Sequence, residues 1–173
     1  LSEGLGEHGM DLSIIPVMPE KELETYSRVV SGRRVDALIV SWTRVDDARI
    51  KLLQKLRFPF LAYGRTASEV PYPWFDFDNE GGARMAVERL VSFGHRRIGL
   101  IHGPLEFNFA AQRHAGYLAA LESAGIDADP ALIIANPLSR IAGYHAMTRL
   151  LEQPSPPTAL LVDNNLAGIG ALR

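Results

Sequence analysis

The chain has 173 residues, enough for one ordinary domain or two small lobes. Its 47% hydrophobic and 22% charged content is that of a folded globular protein, and a formal net charge of −2 supplies no global basic face for nucleic acid. Cysteine is absent, which excludes disulfides and thiolate metal sites and fits the cytoplasm. No apolar run is long enough to span a bilayer.

Short apolar runs alternate with helical stretches. Residues 11–15 (DLSII) read as a strand. Over 20–31, Leu23, Tyr26 and Val30 recur at helical spacing. Residues 35–40 (VDALIV) form a near-continuous apolar run, the signature of a buried parallel strand. A helix over 46–57 is expected to turn Ile50, Leu53 and Leu56 inward, and 59–63 (PFLAY) reads as a strand closed by Gly64. Residues 67–74 are loop-like, broken by Pro71 and Pro73. Residues 74–78 (WFDFD) are extended, with Phe75 and Phe77 on one face and Trp74, Asp76 and Asp78 on the other.

Asn79 suits an N-cap for a helix over 80–93, whose Ala83, Val87, Leu90 and Val91 share a face. Gly94 fits the left-handed position that stops it. A strand over 97–101, a helix over 110–124, a short strand over 131–134, a helix over 139–151, a strand over 159–162 and a final helix opened by Asn164 or Asn165 follow. This alternation predicts an α/β chain of parallel sheets flanked by helices. The boundary between two lobes is expected near Asp78, giving an N-terminal lobe over 1–77 and a C-terminal lobe over 78–173. Both lobes read as partial, a piece of a larger domain.

Catalytic signatures are missing. There is no G-x-S-x-G elbow, no phosphate-binding loop and no H-E-x-x-H helix, so no enzyme and no cofactor is expected. Gly168-Ile169-Gly170 lacks the third glycine of a dinucleotide fingerprint and reads as a helix-packing feature. The histidines have no metal-ligand spacing, and each reads as a surface or capping residue. Asp76 and Asp78 read as one ligand-facing acceptor and one buried hydrogen-bond partner rather than an acid–base pair.

Arg113 carries the strongest binding expectation. It lies in the first turn of a helix, at the sheet edge where open α/β folds bind ligands, and offers a planar fork of donors. The alternative is an exposed arginine on a polar face. The loop before it favours the ligand, because Phe107 and Phe109 flank Asn108. Aromatic faces with amide and guanidinium donors suit a sugar, whose ring has an apolar face and a hydroxyl rim. Asn164 offers an amide at the same edge, or an N-cap. Phe77 at the lobe junction is either a sugar platform or core, and Leu138 is a wall candidate.

In order and spacing, VDALIV (35–40), FPFLAYGR (58–65), FDNEGGARMAVERLVSFGHRRIGLIHGP (77–104), QRHAGYLAALESAG (112–125) and PTALLVDNNLAGIGAL (157–172) resemble the lactose-repressor (LacI/GalR) family of bacterial transcription regulators. The G-H-R-R-I turn with the downstream R-x-x-G-[FY] is the specific part. The resemblance implies a two-lobed, periplasmic-binding-protein-like effector domain and a cytoplasmic transcriptional repressor. It implies a small-molecule effector, a sugar, bound between the lobes. It also implies a homodimer that meets operator DNA through a helix-turn-helix outside these residues, with no membrane partner. By the same resemblance, Arg113 and Asn164 match effector contacts, and Phe77 and the 107–109 loop match pocket walls. Two departures stand out: Asn164-Asn165 replaces the usual Asn-Asp, and Gly64 replaces an acid often found there. The competing reading is a periplasmic sugar-binding protein of a transporter.

Overall fold

The computed structural model describes residues 2–135 and 138–173. In chain order the elements are α1 (Ser2–Gly6), α2 (Glu22–Ser31), β1 (Leu38–Val40), α3 (Ala48–Leu56), β2 (Phe60–Tyr63), β3 (Trp74–Phe75), α4 (Asn79–Ser92), β4 (Ile98–His102), α5 (Asn108–Ser123), β5 (Ile133–Ala135), α6 (Arg140–Leu151), β6 (Ala159–Val162) and α7 (Asn165–Ala171). Single 3₁₀ turns precede α2 and β5.

The strands form two three-stranded parallel sheets, in the orders β1-β2-β3 and β5-β4-β6. In the first, Leu38 faces Phe60 and Ala62 faces Trp74; in the second, Leu100 lies between Ile133 and Leu161. β4 is buried along its whole length, as a central strand covered on both faces must be. One face packs Ile98 and Leu100 against Val87 of α4 and Tyr117, Ala120 and Leu121 of α5. The other packs Ile101 and Ile134 against Ala146 and Leu150 of α6 and Ala167 of α7.

The first sheet is covered differently. Val40, Phe60 and Ala62 pack under Ile50 and Leu53 of α3, with Tyr26 and Val30 of α2 alongside. Ile39, Leu61 and Tyr63 on the opposite face are exposed among the described residues.

Four local expectations are corrected. Residues 11–15 form no strand; Leu12 and Ile14 are exposed and pair with nothing among the described residues. Leu23 and Leu56 face solvent, because the α2–α3 seam is filled instead by Arg49 on Glu22 and Asp47. α4 starts at Asn79, and Asp78 is its N-cap, accepting from the Gly81 N–H at 2.8 Å. His102 is buried, its Nδ1 2.6 Å from the Gly103 carbonyl. Gly94 has φ +93°, the left-handed stop expected after α4.

Candidate functional site

Because both sheets are parallel, the chain leaves every strand at one edge, and side chains just past those ends converge. Trp42 and Thr43 follow β1, Tyr63 and Gly64 end β2, and Asp76 and Phe77 follow β3. With Asn79 of α4 and Phe109 and Arg113 of α5, they line a cleft of about 170 Å³. An adjoining hollow of about 280 Å³ shares Phe77, Asn79 and Arg113 and is bounded by Asp78, Val162 and Asp163.

The polar wall is organised by Asn79, which is buried. Its amide oxygen accepts from Arg113 Nε at 2.9 Å. Its Nδ2 lies 3.1 Å from Asp76 Oδ1, 3.0 Å from Gln112 Oε1 and 3.2 Å from the Phe77 carbonyl. Only one amide orientation satisfies this set, since Arg113 can only donate. Arg113 Nη1 donates to the Asp163 carbonyl, and the guanidinium lies 5.3 Å from the Phe109 ring centre. The fork is therefore held at two points, and among the described residues its other N–H groups have no acceptor. Asp76 is held by Arg65 Nε at 3.2 Å and by the Phe77 N–H at 2.9 Å.

The apolar wall is aromatic. Trp42 meets Phe107 and Phe109 edge-on at 5.4 and 5.9 Å between ring centres, while those two phenylalanines stack on each other. Phe77 meets Phe75 and Tyr63 edge-on at 5.6 and 6.1 Å. The segment after β1 also bonds to the start of α5 through the backbone: Val45 donates to the Glu106 carbonyl and Asn108 to that of Thr43, each at 2.9 Å. Gly64 has φ +111°, and a Cβ there would overlap Thr43 Oγ1, so the acid expected by resemblance would be strained at this position.

The sequence matches, over residues 1–173, the family described as periplasmic binding proteins and sugar binding domain of LacI family. The chain belongs to the LacI family. It is 40% identical to the HTH-type transcriptional regulator RafR of Escherichia coli over 171 residues, 99% of this chain and 50% of RafR. The crystal structure of a transcriptional regulator from Yersinia pestis biovar Microtus superposes with a TM-score of 0.90 at 40% identity, covering 99% of this chain and 61% of that one. A transcriptional regulator CelR–cellobiose complex superposes with a TM-score of 0.88 at 30% identity, covering 99% of this chain and 53% of that one. The chain spans about half the length of the curated relatives it matches.

Within this LacI-family frame, the structure brings Phe77, Phe109 and Arg113 together on the cleft. Asp78 reaches only the adjoining hollow, and its Oδ1 is occupied as a helix cap. Phe107 stands behind Phe109 and Trp42. Asn108 opens α5 with its backbone on Thr43, outside the cleft lining. Leu138 packs against Gly103, also outside it. Asn164 caps α7: its Oδ1 accepts from the Ala167 N–H at 2.9 Å, and its Nδ2 donates to Asp163 Oδ1 at 2.7 Å. Gly170 packs so closely on α6 that a Cβ would overlap the Arg140 carbonyl, whereas a Cβ at Gly168 would meet only Val162 at ordinary contact distance, so the packing role belongs to the second glycine alone.

Trp42, Thr43, Tyr63 and Asn79 escaped the sequence reading. Each sits one to three residues past a predicted strand, or at its end, and that position was the available signal. Among the described residues no cluster of three or more His, Asp or Glu could hold a metal ion, and no helix is long and apolar enough to cross a membrane.

Proposed function

We propose that the chain is the effector-sensing part of a cytoplasmic transcription regulator that binds a sugar and thereby changes its affinity for operator DNA. The observation that carries this reading is the cleft itself. An aromatic wall of Trp42, Phe77 and Phe109 faces a polar wall of Arg113, Asn79 and Asp76. That is the division a pyranose presents, an apolar ring face and a rim of hydroxyls. The similar transcriptional regulator CelR, whose structure is that of a cellobiose complex, supports the sugar class. The relatives are regulators rather than transporter components, which favours the regulator over a periplasmic binding protein. A non-enzymatic role fits this site, which offers a fixed fork of donors and no paired nucleophile and base.

The lobe boundary is proposed at 77/78, where the chain leaves the first sheet and enters α4. Phe77, Arg113 and Phe109 are then the proposed ligand contacts from the junction and second lobe. Asp78, Phe107, Asn108, Leu138 and Asn164 support them from behind. The intact protein is proposed to be a homodimer, as two-fold operators require. α6 and α7 leave Ile141, Tyr144, Leu166, Ile169 and Leu172 exposed, an apolar surface suited to a self-complementary contact.

The test is calorimetric titration of the full-length protein with neutral mono- and disaccharides, beside Arg113→Ala. Loss of the charged donor should weaken binding by roughly 1.5–3 kcal/mol. Unchanged affinity in a folded variant would return Arg113 to a structural role.

A further inference from the structure

We propose that Trp42 is the ring on which the sugar stacks, and that Arg49 is a positioning residue that holds it in place through its carbonyl. This assignment rests on the reading of the cleft as a sugar site. Trp42 has φ +55°, a left-handed conformation uncommon for a bulky side chain. It is also 53% exposed, so burial of the indole does not account for the strain. Something else must hold it, and the neighbouring element supplies the clamp.

Arg49, on α3, is 6% exposed and spends its guanidinium inside the lobe. Nη2 donates to the Trp42 carbonyl at 2.9 Å and to Asp47 Oδ2 at 2.6 Å. Nε donates to Asp47 Oδ1 at 2.9 Å, and Nη1 to Glu22 Oε1 at 3.2 Å. Glu22 is also paired with Arg44 at 2.7 Å, so two acids and two arginines close a neutral cluster. A buried, geometrically fixed fork thus ends on one backbone carbonyl, that of the residue that lines the cleft together with Arg113 and Asn79. A strained residue over-determined by its surroundings and facing a cleft is the pattern of a binding wall.

The variants separate a wall from a plug. Asn tolerates the left-handed region, so Trp42→Asn removes the ring without adding backbone strain. Trp42→Phe keeps an aromatic face. Arg49→Lys keeps the charge and cannot span the same three partners.

The experiment uses full-length protein labelled with fluorotryptophan and titrated with glucose, galactose, cellobiose and maltose. Binding is followed by calorimetry and by the fluorine resonance that disappears in Trp42→Phe. The sugar that gives heat should shift that resonance. Its affinity should fall on the order of tenfold in Trp42→Asn, and by less in Trp42→Phe and Arg49→Lys, with the melting temperature of Trp42→Asn little changed. Heat with an unmoved Trp42 resonance, or a destabilised Trp42→Asn that binds sugar normally, overturns the assignment and leaves the sugar reading standing. No heat with any of the sugars overturns the sugar reading and this assignment with it. Should Arg49→Lys fail to fold, the two Trp42 variants still decide the case for the ring.

Discussion

At the scale of single residues, the site depends on Asn79 more than on any charge. It fixes Arg113 from one side and Asp76 from the other, so Asn79→Ala leaves Arg113 Nε without its acceptor. Sugar affinity should fall by about 1–2 kcal/mol on calorimetry although Asn79 offers the ligand little of itself. Tyr117 gives an independent check on the core. It is fully buried and donates to the Ile98 carbonyl at 2.8 Å. Burial, with a smaller contribution from Asp129, pushes its hydroxyl from 10.0 up to about 12. The unfolded chain therefore loses this proton first as pH rises, and stability falls between those two values. The loss should reach roughly 2–3 kcal/mol and be absent in Tyr117→Phe, whose cost near neutral pH is about 1 kcal/mol in urea unfolding. Arg113, Phe77 and Phe109 were legible as cleft-lining residues because they sit at or just past strand ends, although the sequence left a surface arginine and a core phenylalanine open. Asn79 was read as a cap, and Asn164 as either a cap or an outward amide. Both follow a strand and precede a helix, where an asparagine either caps or reaches outward. Asp78 took the cap before α4 and freed Asn79, whereas Asn164 had to cap α7 itself.

At the scale of elements, long apolar runs were legible and short exposed ones were not. ALLV became β6, whereas VDALIV became β1 only over Leu38–Val40, with Ile39 exposed because one face of the first sheet is uncovered among the described residues. DLSII shows the same composition with no paired neighbour, and composition cannot reveal whether a partner is there. α3 misled for a different reason. Leu56 is exposed and Arg49 buried, because the Asp47 carboxylate needs a cation more than the seam needs another methyl. Burial pushes the Asp47 carboxyl up, but hydrogen bonds from Arg49 and the Arg44 backbone outweigh this and hold it below 3.8. Stability from this group is therefore present above the ordinary carboxylate range and lost as pH falls through its depressed value. Acid unfolding should accordingly shift to higher pH in Asp47→Asn, read by circular dichroism. At the start of α4, Asp78→Ala should cost about 1 kcal/mol in urea unfolding, the usual value of an N-cap.

At the scale of the whole molecule, the fold brings residues that end or follow the strands of the first sheet against the first turns of α5, which follows β4, and together they line one cleft. A sugar that touched both of the proposed lobes would bind one relative arrangement of them better than another, and that difference is all it could use to shift an equilibrium. The same cleft would serve a transporter protein equally well, so the regulator reading stands or falls on linkage to DNA. If sugar and operator are coupled, the coupling is on the order of 1–3 kcal/mol and must be reciprocal. The decisive measurement is the sugar affinity of the full-length protein, titrated with and without saturating operator DNA. The two titrations should give affinities that differ roughly 5- to 150-fold, matched by the same factor in operator affinity with and without sugar. A sugar that binds tightly with identical affinity in both would contradict the regulator reading.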